Sequence, residues 1–422
     1  MYVVSRTLVG SCLACPQEVL RTAIRLALLI CCAGVLASPA EGQPPHAPDH
    51  QMPTIASPAR AWSWTSDGNV FFGFNYQHRE FTDFRAWESQ NWFMLSGEHA
   101  VGAGHVMLHG MASLEPFTMQ RLGSPQVFQT GESYKGAPLI DRQHPHDLLM
   151  QLGATYSVQA GPATYVLGAD LVGSPTLGPT PFMHRESARN NPQAPLAHHY
   201  LDATHTTPGV LRGSVELPSG FAAEGSWFRG EEPNDNRLNI ERPRLNSWAA
   251  RGRWRRGPWR AQMSGGRLHK PEWFEPYDVT QLTASIEFAG TIGARPVAAT
   301  LAWGENREVH GALDGYLLEW NVRAASRGWL YGRAEATAKD LLDLGGPHPP
   351  GFIEFHRISH VAALTVGYAH DVWDARGTHV AVGSDVTLYR VPNNMLEYYG
   401  APHSFHFFVR WRPNGFSTGH IH

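Results

Sequence analysis

Short connectors and long ones take strict turns along this chain, and the segments between them alternate apolar with polar residues. Sixteen such segments run from Val70 to Trp411, each roughly 9–12 residues long, enough to cross a bilayer core as a tilted strand. Tight connectors fall at 100–104, 159–163, 218–220, 256–258, 289–296, 326–328 and 370–377, whereas 115–146 and 173–208 are long. Strands that zigzag place every tight turn at one end and every long loop at the other. The pattern predicts an all-β fold, a transmembrane antiparallel up-and-down β-barrel of about 16 strands with short periplasmic turns and long extracellular loops.

Alternation alone also fits a soluble sandwich, whose strands bury one face. In 280–288 Thr280, Leu282, Ala284, Ile286 and Phe288 oppose Gln281, Thr283, Ser285 and Glu287; in 316–324 Tyr316, Leu318, Trp320 and Val322 oppose Glu319, Asn321 and Arg323, with Leu317 off pattern. Three features favour the membrane. Trp and Tyr sit near strand ends on the apolar face, as at Trp248 and Trp254, where an interfacial girdle requires them. Full charges sit mid-strand on the other face (Arg251, Arg253, Arg255, Glu287, Glu319, Arg323, Arg333 and Glu335), costly in a dry core and natural in a wet lumen. The last strand, 404–411, points Phe405, Phe407, Val409 and Trp411 outward and resembles a barrel-assembly signal.

The ends of the chain fit export. Residues 1–40 carry Arg6, Arg21 and Arg25 before the apolar run 26–36, then small residues, which is the layout of a signal peptide. All four cysteines lie there (Cys12, Cys15, Cys31 and Cys32), so the mature chain has no disulfide and relies on sheet closure. Residues 41–66 read as a flexible periplasmic lead-in, 67–411 as the barrel and 412–422 as a periplasmic tail. A net charge of -3 argues against a nucleic-acid partner. The expected location is the outer membrane of a Gram-negative bacterium. The expected partners are outer-membrane lipid and lipopolysaccharide, the barrel-assembly machinery and small hydrophilic solutes, and a trimer is one assembly open to it.

Enzyme signatures are missing: there is no G-x-S-x-G, no H-E-x-x-H and no Gly-Lys dipeptide, so catalysis is not expected, with a rim hydrolase the remaining alternative. Histidine is the unusual residue, at 23, and it clusters. His144 and His146 close the first long loop; His198, His199, Asp202 and His205 lie in the second. A helical turn there would put His198, Asp202 and His205 on one face, a set able to hold a divalent metal. On strand 105–115 His105, Met107, His109 and Met111 share a face, a soft set suited to copper. No cofactor is required, copper or zinc being the candidates; the plainer alternative is that these side chains hydrogen-bond within compact loops or line the bore. His46, His50, His420 and His422 read as solvated. The row Arg251, Arg253, Arg255 attracts anions unless Glu216, Glu287, Glu319 and Glu335 pair with the lumen arginines.

Several segments carry a resemblance: Arg142-Gln143-His144-Pro145-His146-Asp147, Pro181-Phe182-Met183-His184-Arg185, Ala194-Pro195-Leu196-Ala197-His198-His199 and Asp202-Ala203-Thr204-His205. It continues through 229–237 to Leu301-Ala302-Trp303-Gly304. On these the chain resembles a family of uncharacterised Gram-negative outer-membrane proteins, which implies a porin-like barrel and transfers no functional residue. The long stretch before the apolar run departs from that pattern. The expectation is a passive channel for small hydrophilic solutes or ions, with loops 116–146 and 173–208 folded inward. The alternatives are a metal-handling barrel and a loop-plugged structural barrel.

Overall fold

The computed structural model describes residues 61–135, 137–272, 276–309, 311–339, 358–375 and 377–413. Residues 1–40, read above as a signal peptide and holding the four cysteines, and the terminal histidines lie outside these. The strands are β1 (Ser63–His78), β2 (Asn91–Val101, preceded in line by Phe84–Glu88), β3 (Gly104–Ala112), β4 (Leu149–Ala160) and β5 (Ala163–Gly173). Next come β6 (Thr207–Glu216), β7 (Phe221–Phe228), β8 (Ser247–Arg256), β9 (Trp259–Leu268) and β10 (Val279–Ile292). The rest are β11 (Arg295–Glu308), β12 (Gly311–Arg323), β13 (Gly328–Lys339), β14 (Ser359–Ala375), β15 (Thr378–Arg390) and β16 (His403–Pro413).

Each strand pairs antiparallel with its sequence neighbours, and β1 pairs with β16 from Val70↔Trp411 to His78↔His403. The sheet therefore closes as a 16-stranded barrel with no free edge. β2 is one strand interrupted at Ser89–Gln90. Its main part pairs with Ser63–Val70 and the short segment with Gly73–Gln77, while Phe71 N donates to Gln90 O at 2.8 Å between them.

Several ladders run further than the sequence suggests. The expected turns 289–296 and 370–377 shrink, because β10 and β11 stay paired to Ile292↔Arg295 and β14 and β15 to Ala375↔Thr378. Likewise β1 begins at Ser63 and β16 ends at Pro413, inside the stretches read as lead-in and tail, since Ser63 pairs with Glu98 and Pro413 with Thr378. Six short turns hold a glycine at positive φ: Gly102, Gly161, Gly220, Gly257, Gly293 and Gly377. A turn this tight needs left-handed backbone, which glycine adopts without strain.

Outward side chains are greasy and bare: Leu167 is 69% exposed and Trp227 60%. Trp227↔Trp248 pair at the long-loop end of their strands and Phe221↔Trp254 at the short-turn end, giving an aromatic band at each level. Among the described residues no helix is long and apolar enough to cross a membrane, which says nothing of strands.

Two loops, 113–148 and 174–206, fold into the bore. The second crosses it and is fastened to the wall repeatedly. Thr176 meets Ser226 of β7 at 2.9 Å, Gly178 N donates to Ser264 of β9 at 2.8 Å, and Ser187 meets Thr300 of β11 at 2.7 Å. Asn190 donates to Asn321 of β12 at 2.8 Å and accepts from Arg410 of β16. A single helical turn, His198–Leu201, lies on β10 to β12. The wall is notched for it: a Cβ at Gly304 would strike Tyr200 O, and one at Gly315 would press to 2.8 Å of Ala197 Cβ. Leu317, off the alternating pattern, points inward and packs with Ala197, Tyr200, Leu201 and Leu313. The inner face of the wall is apolar where this part of the loop lies on it.

Candidate functional site

At the short-turn end the bore widens into a vestibule of about 1660 Å³, counting its mouth. Alternation on β6, β8 and β9 aims Arg212, Arg251, Arg253, Arg255 and Arg260 into it, with Glu216, Glu224 and Glu287 among them. The opposite wall, on β2 and β3, presents Met94, His105, Met107 and Met111, and residues of 174–181 form the ceiling. The guanidiniums are largely paired. Arg251 donates to Glu224 at 2.5 Å, Arg253 bridges Glu224 at 2.9 Å and Glu216, and Arg212 meets Asp170. Arg255 is exposed and no carboxylate among the described residues pairs with it. The row is thus part wall-stiffener, part positive surface. His105 sits 3.0 Å from Glu98, whereas His109 leaves the open face: it is buried, with Nε2 2.8 Å from Asp170.

The other charges expected in the wet lumen are elsewhere. Glu319 is fully buried beneath the crossing loop, where it accepts from Arg185 Nε at 3.0 Å, Ser187 Oγ at 2.9 Å and Arg333 at 2.7 and 2.9 Å. Arg333 also donates to Gln193 O at 2.9 Å. Glu335 accepts from Leu196 N at 2.7 Å and Ala197 N at 3.4 Å. These three hold the loop rather than face solute. Burial is tolerated because each charge meets its opposite or a row of N–H donors. Arg323 lies near a short turn, 5.1 Å over the Trp329 ring, away from the vestibule.

The loop histidines converge. His146 and His198 stand with ring centroids 5.2 and 5.4 Å from His205, and His199 stands 5.5 Å from His198. Phe182 sits among them, 5.4 Å from His198, on a short turn (Phe182–His184). This turn separates the vestibule, lined by Pro181 and His184, from a second, smaller cavity lined by Phe182, Met183, His144 and His146. The expected shared face forms in altered shape: His198–Leu201 is followed by a 3-10 turn (Ala203–Thr206), and Asp202 is engaged. Its carboxylate accepts from His198 Nδ1 at 2.7 Å and from Arg185 Nη1 at 2.7 Å, and its carbonyl meets His205 Nδ1 at 2.7 Å.

Burial pushes His198 down to about 4, against the pull of Asp202, and pushes His144 and His205 well below the usual imidazole range. All three are neutral at pH 7. Burial would raise Asp202, but Arg185 outweighs it and holds the carboxyl below the usual carboxylate range. Asp147 is pushed up to about 6 by burial, despite Arg237 beside it. Among the described residues no three His, Cys, Asp or Glu side chains already stand at the spacing of a metal site.

No family model matches the sequence, and no curated protein does either. Solved structures do match. The anion-selective porin from Comamonas acidovorans superposes with a TM-score of 0.50 at 12% identity, over 84% of this chain and 100% of that one. OmpF of Salmonella typhi, solved in complex with daunomycin, gives 0.50 at 8% identity, over 83% and 97%. The fold is that of an outer-membrane porin.

Four residues that position this porin-like site carried no sequence signal strong enough to single them out. Arg185 sits in an irregular loop and Glu115 on a four-residue helical turn (Glu115–Thr118), neither long enough for a period to mark a side chain as inward. Asp170 and Glu224 do lie on the inward period of β5 and β7, beside Val166 and Ala222. Reading each strand's polar face as one row with its neighbours' would have found both as partners of Arg212 and Arg251.

Proposed function

We propose that this porin-like barrel is a passive, constricted channel for small hydrophilic solutes or ions, with a preference for anions at its short-turn mouth. The observation that carries the reading is the vestibule lining, in which five guanidiniums stand among three carboxylates and Arg255 stays unpaired. A positive excess inside a low-dielectric wall raises the local anion concentration. The crossing loop sets the narrowest point, so passage runs past residues 174–184. Current through the reconstituted barrel in planar bilayers, with the reversal potential under a salt gradient, tests both parts. A folded barrel that carries no current defeats the channel, and a cation-directed reversal potential defeats the preference.

A second reading is a plugged, structural barrel. It is favoured by the buried contacts of Arg185, Glu319 and Arg333, which fasten the loop across the bore. Absence of current from the wild type, with current restored by cutting that lock, selects it.

A further inference from the structure

We propose that the Nε2 atoms of His146, His198 and His205 form an inner site for one divalent late transition ion, zinc or copper(II), joining the two infolded loops. The site is built from separate stretches: His146 comes from the first infolded loop, His198 and His205 from the second. Both other rings stand within 5.4 Å of His205, centroid to centroid.

The tautomers decide what the rings can do. His205 Nδ1 lies 2.7 Å from the backbone carbonyl of Asp202, and a carbonyl only accepts, so Nδ1 carries the proton. His205 Nε2 is then a bare lone pair, and it is buried with no hydrogen-bond partner. An unsatisfied buried acceptor is costly, so its presence calls for a reason. His146 Nδ1 meets Glu115 at 2.8 Å and His198 Nδ1 meets Asp202 at 2.7 Å, both carboxylates, which fixes the same tautomer in each. The three imidazoles are thus oriented through Nδ1 by a carboxylate, a carboxylate and a carbonyl, each leaving Nε2 to face a metal. Histidines that ligate metals are held by just this kind of outer partner.

Three imidazoles and no thiolate suit zinc or copper(II) rather than calcium or magnesium. Access exists from both sides, since His205 lines the vestibule and His146 the second cavity. The donors are not at ligand distance as they stand. An ion would draw the rings together and displace Phe182, which sits 5.4 Å from His198 and 6.2 Å from His146. The proposal is independent of whether the bore conducts.

The test uses the folded mature barrel in detergent, stripped with a chelator, then titrated separately with zinc and copper(II) by calorimetry and thermal melting. The expected result is one tightly held ion per chain for at least one metal, with a raised Tm. His205→Gln and His146→Gln should each weaken binding at least tenfold while the barrel keeps its strand signal. Glu115→Gln, which touches no ion, should weaken it by about 10–100-fold. Electron paramagnetic resonance of the copper form should show three imidazole nitrogens. Absence of binding by both metals overturns the proposal, as does binding undiminished in the glutamine variants, which would place the ion on the terminal histidines. A copper spectrum without the three nitrogens also overturns it.

Discussion

Glu319, on the barrel wall, accepts a hydrogen bond from Arg185 Nε of the crossing loop at 3.0 Å, and both side chains are fully shielded from solvent. Removing one partner of such a pair leaves the other as an uncompensated buried charge, a cost of about 3–5 kcal/mol. Glu319→Ala should therefore loosen the loop rather than the barrel. The expected outcome is faster proteolysis within 174–206 and a larger, noisier conductance, with the strand content by circular dichroism unchanged.

Arg255→Glu replaces the unpaired guanidinium of the vestibule with a carboxylate and touches no ion pair. The reversal potential in a salt gradient should move toward cations. The shift should shrink as ionic strength rises, because the Debye length falls to about 3 Å at 1 M salt.

Leu167 sits near the middle of β5 on the lipid face, 69% exposed. Leu167→Arg should cost about 2–4 kcal/mol of barrel stability, the price of a cation at the bilayer midplane. Its inward neighbour Val166 lines the vestibule, so Val166→Thr should leave the urea unfolding midpoint in lipid nearly unchanged. Equal losses in the two variants would contradict the assigned faces.

Asp141 is buried where the first infolded loop turns. It accepts from Arg79 at 2.5 Å, Phe128 N at 2.7 Å and Tyr399 Oη at 3.2 Å. Burial raises its pKa, and Arg79 only partly offsets this. Since the folded carboxyl binds its proton more tightly than the unfolded one, the associated stability is full below the unfolded value of about 3.9 and is lost as pH rises through the folded value. Melting wild type beside Asp141→Asn from about pH 7 to about pH 4 should show wild type gaining relative to the variant as the solution becomes more acid.

The barrel was legible because its two constraints are periodic. Gln281, Thr283 and Ser285 face in and Leu167 and Trp248 face out for the same reason, the two-residue repeat of a strand between lipid and lumen. The strand ends were less legible. Composition cannot show where pairing stops, so Ile292 and Ala375 read as turn residues although both are still in register with a partner. The candidate site was legible in membership and not in arrangement. His146, His198 and His205 stood out by number and spacing, but their meeting depends on two loops with no repeat to phase them. Glu319 and Arg333 showed the opposite failure: period two placed them inward, and nothing in it said that inward meant under a loop rather than into water.

The crossing loop has a consequence for biogenesis. Its anchors on the wall are encoded far downstream: Arg185 waits 134 positions for Glu319, and Asn190 waits 220 for Arg410. Contacts so distant along the chain are slow to form. The wall partners of residues 185–197 emerge only after that segment has been made, so its anchors to the wall stay unmade through most of translocation. The cylinder must gather its final hairpins around a strap already inside, and a chaperone that shields such a segment in transit would be guarding the last piece to find its seat.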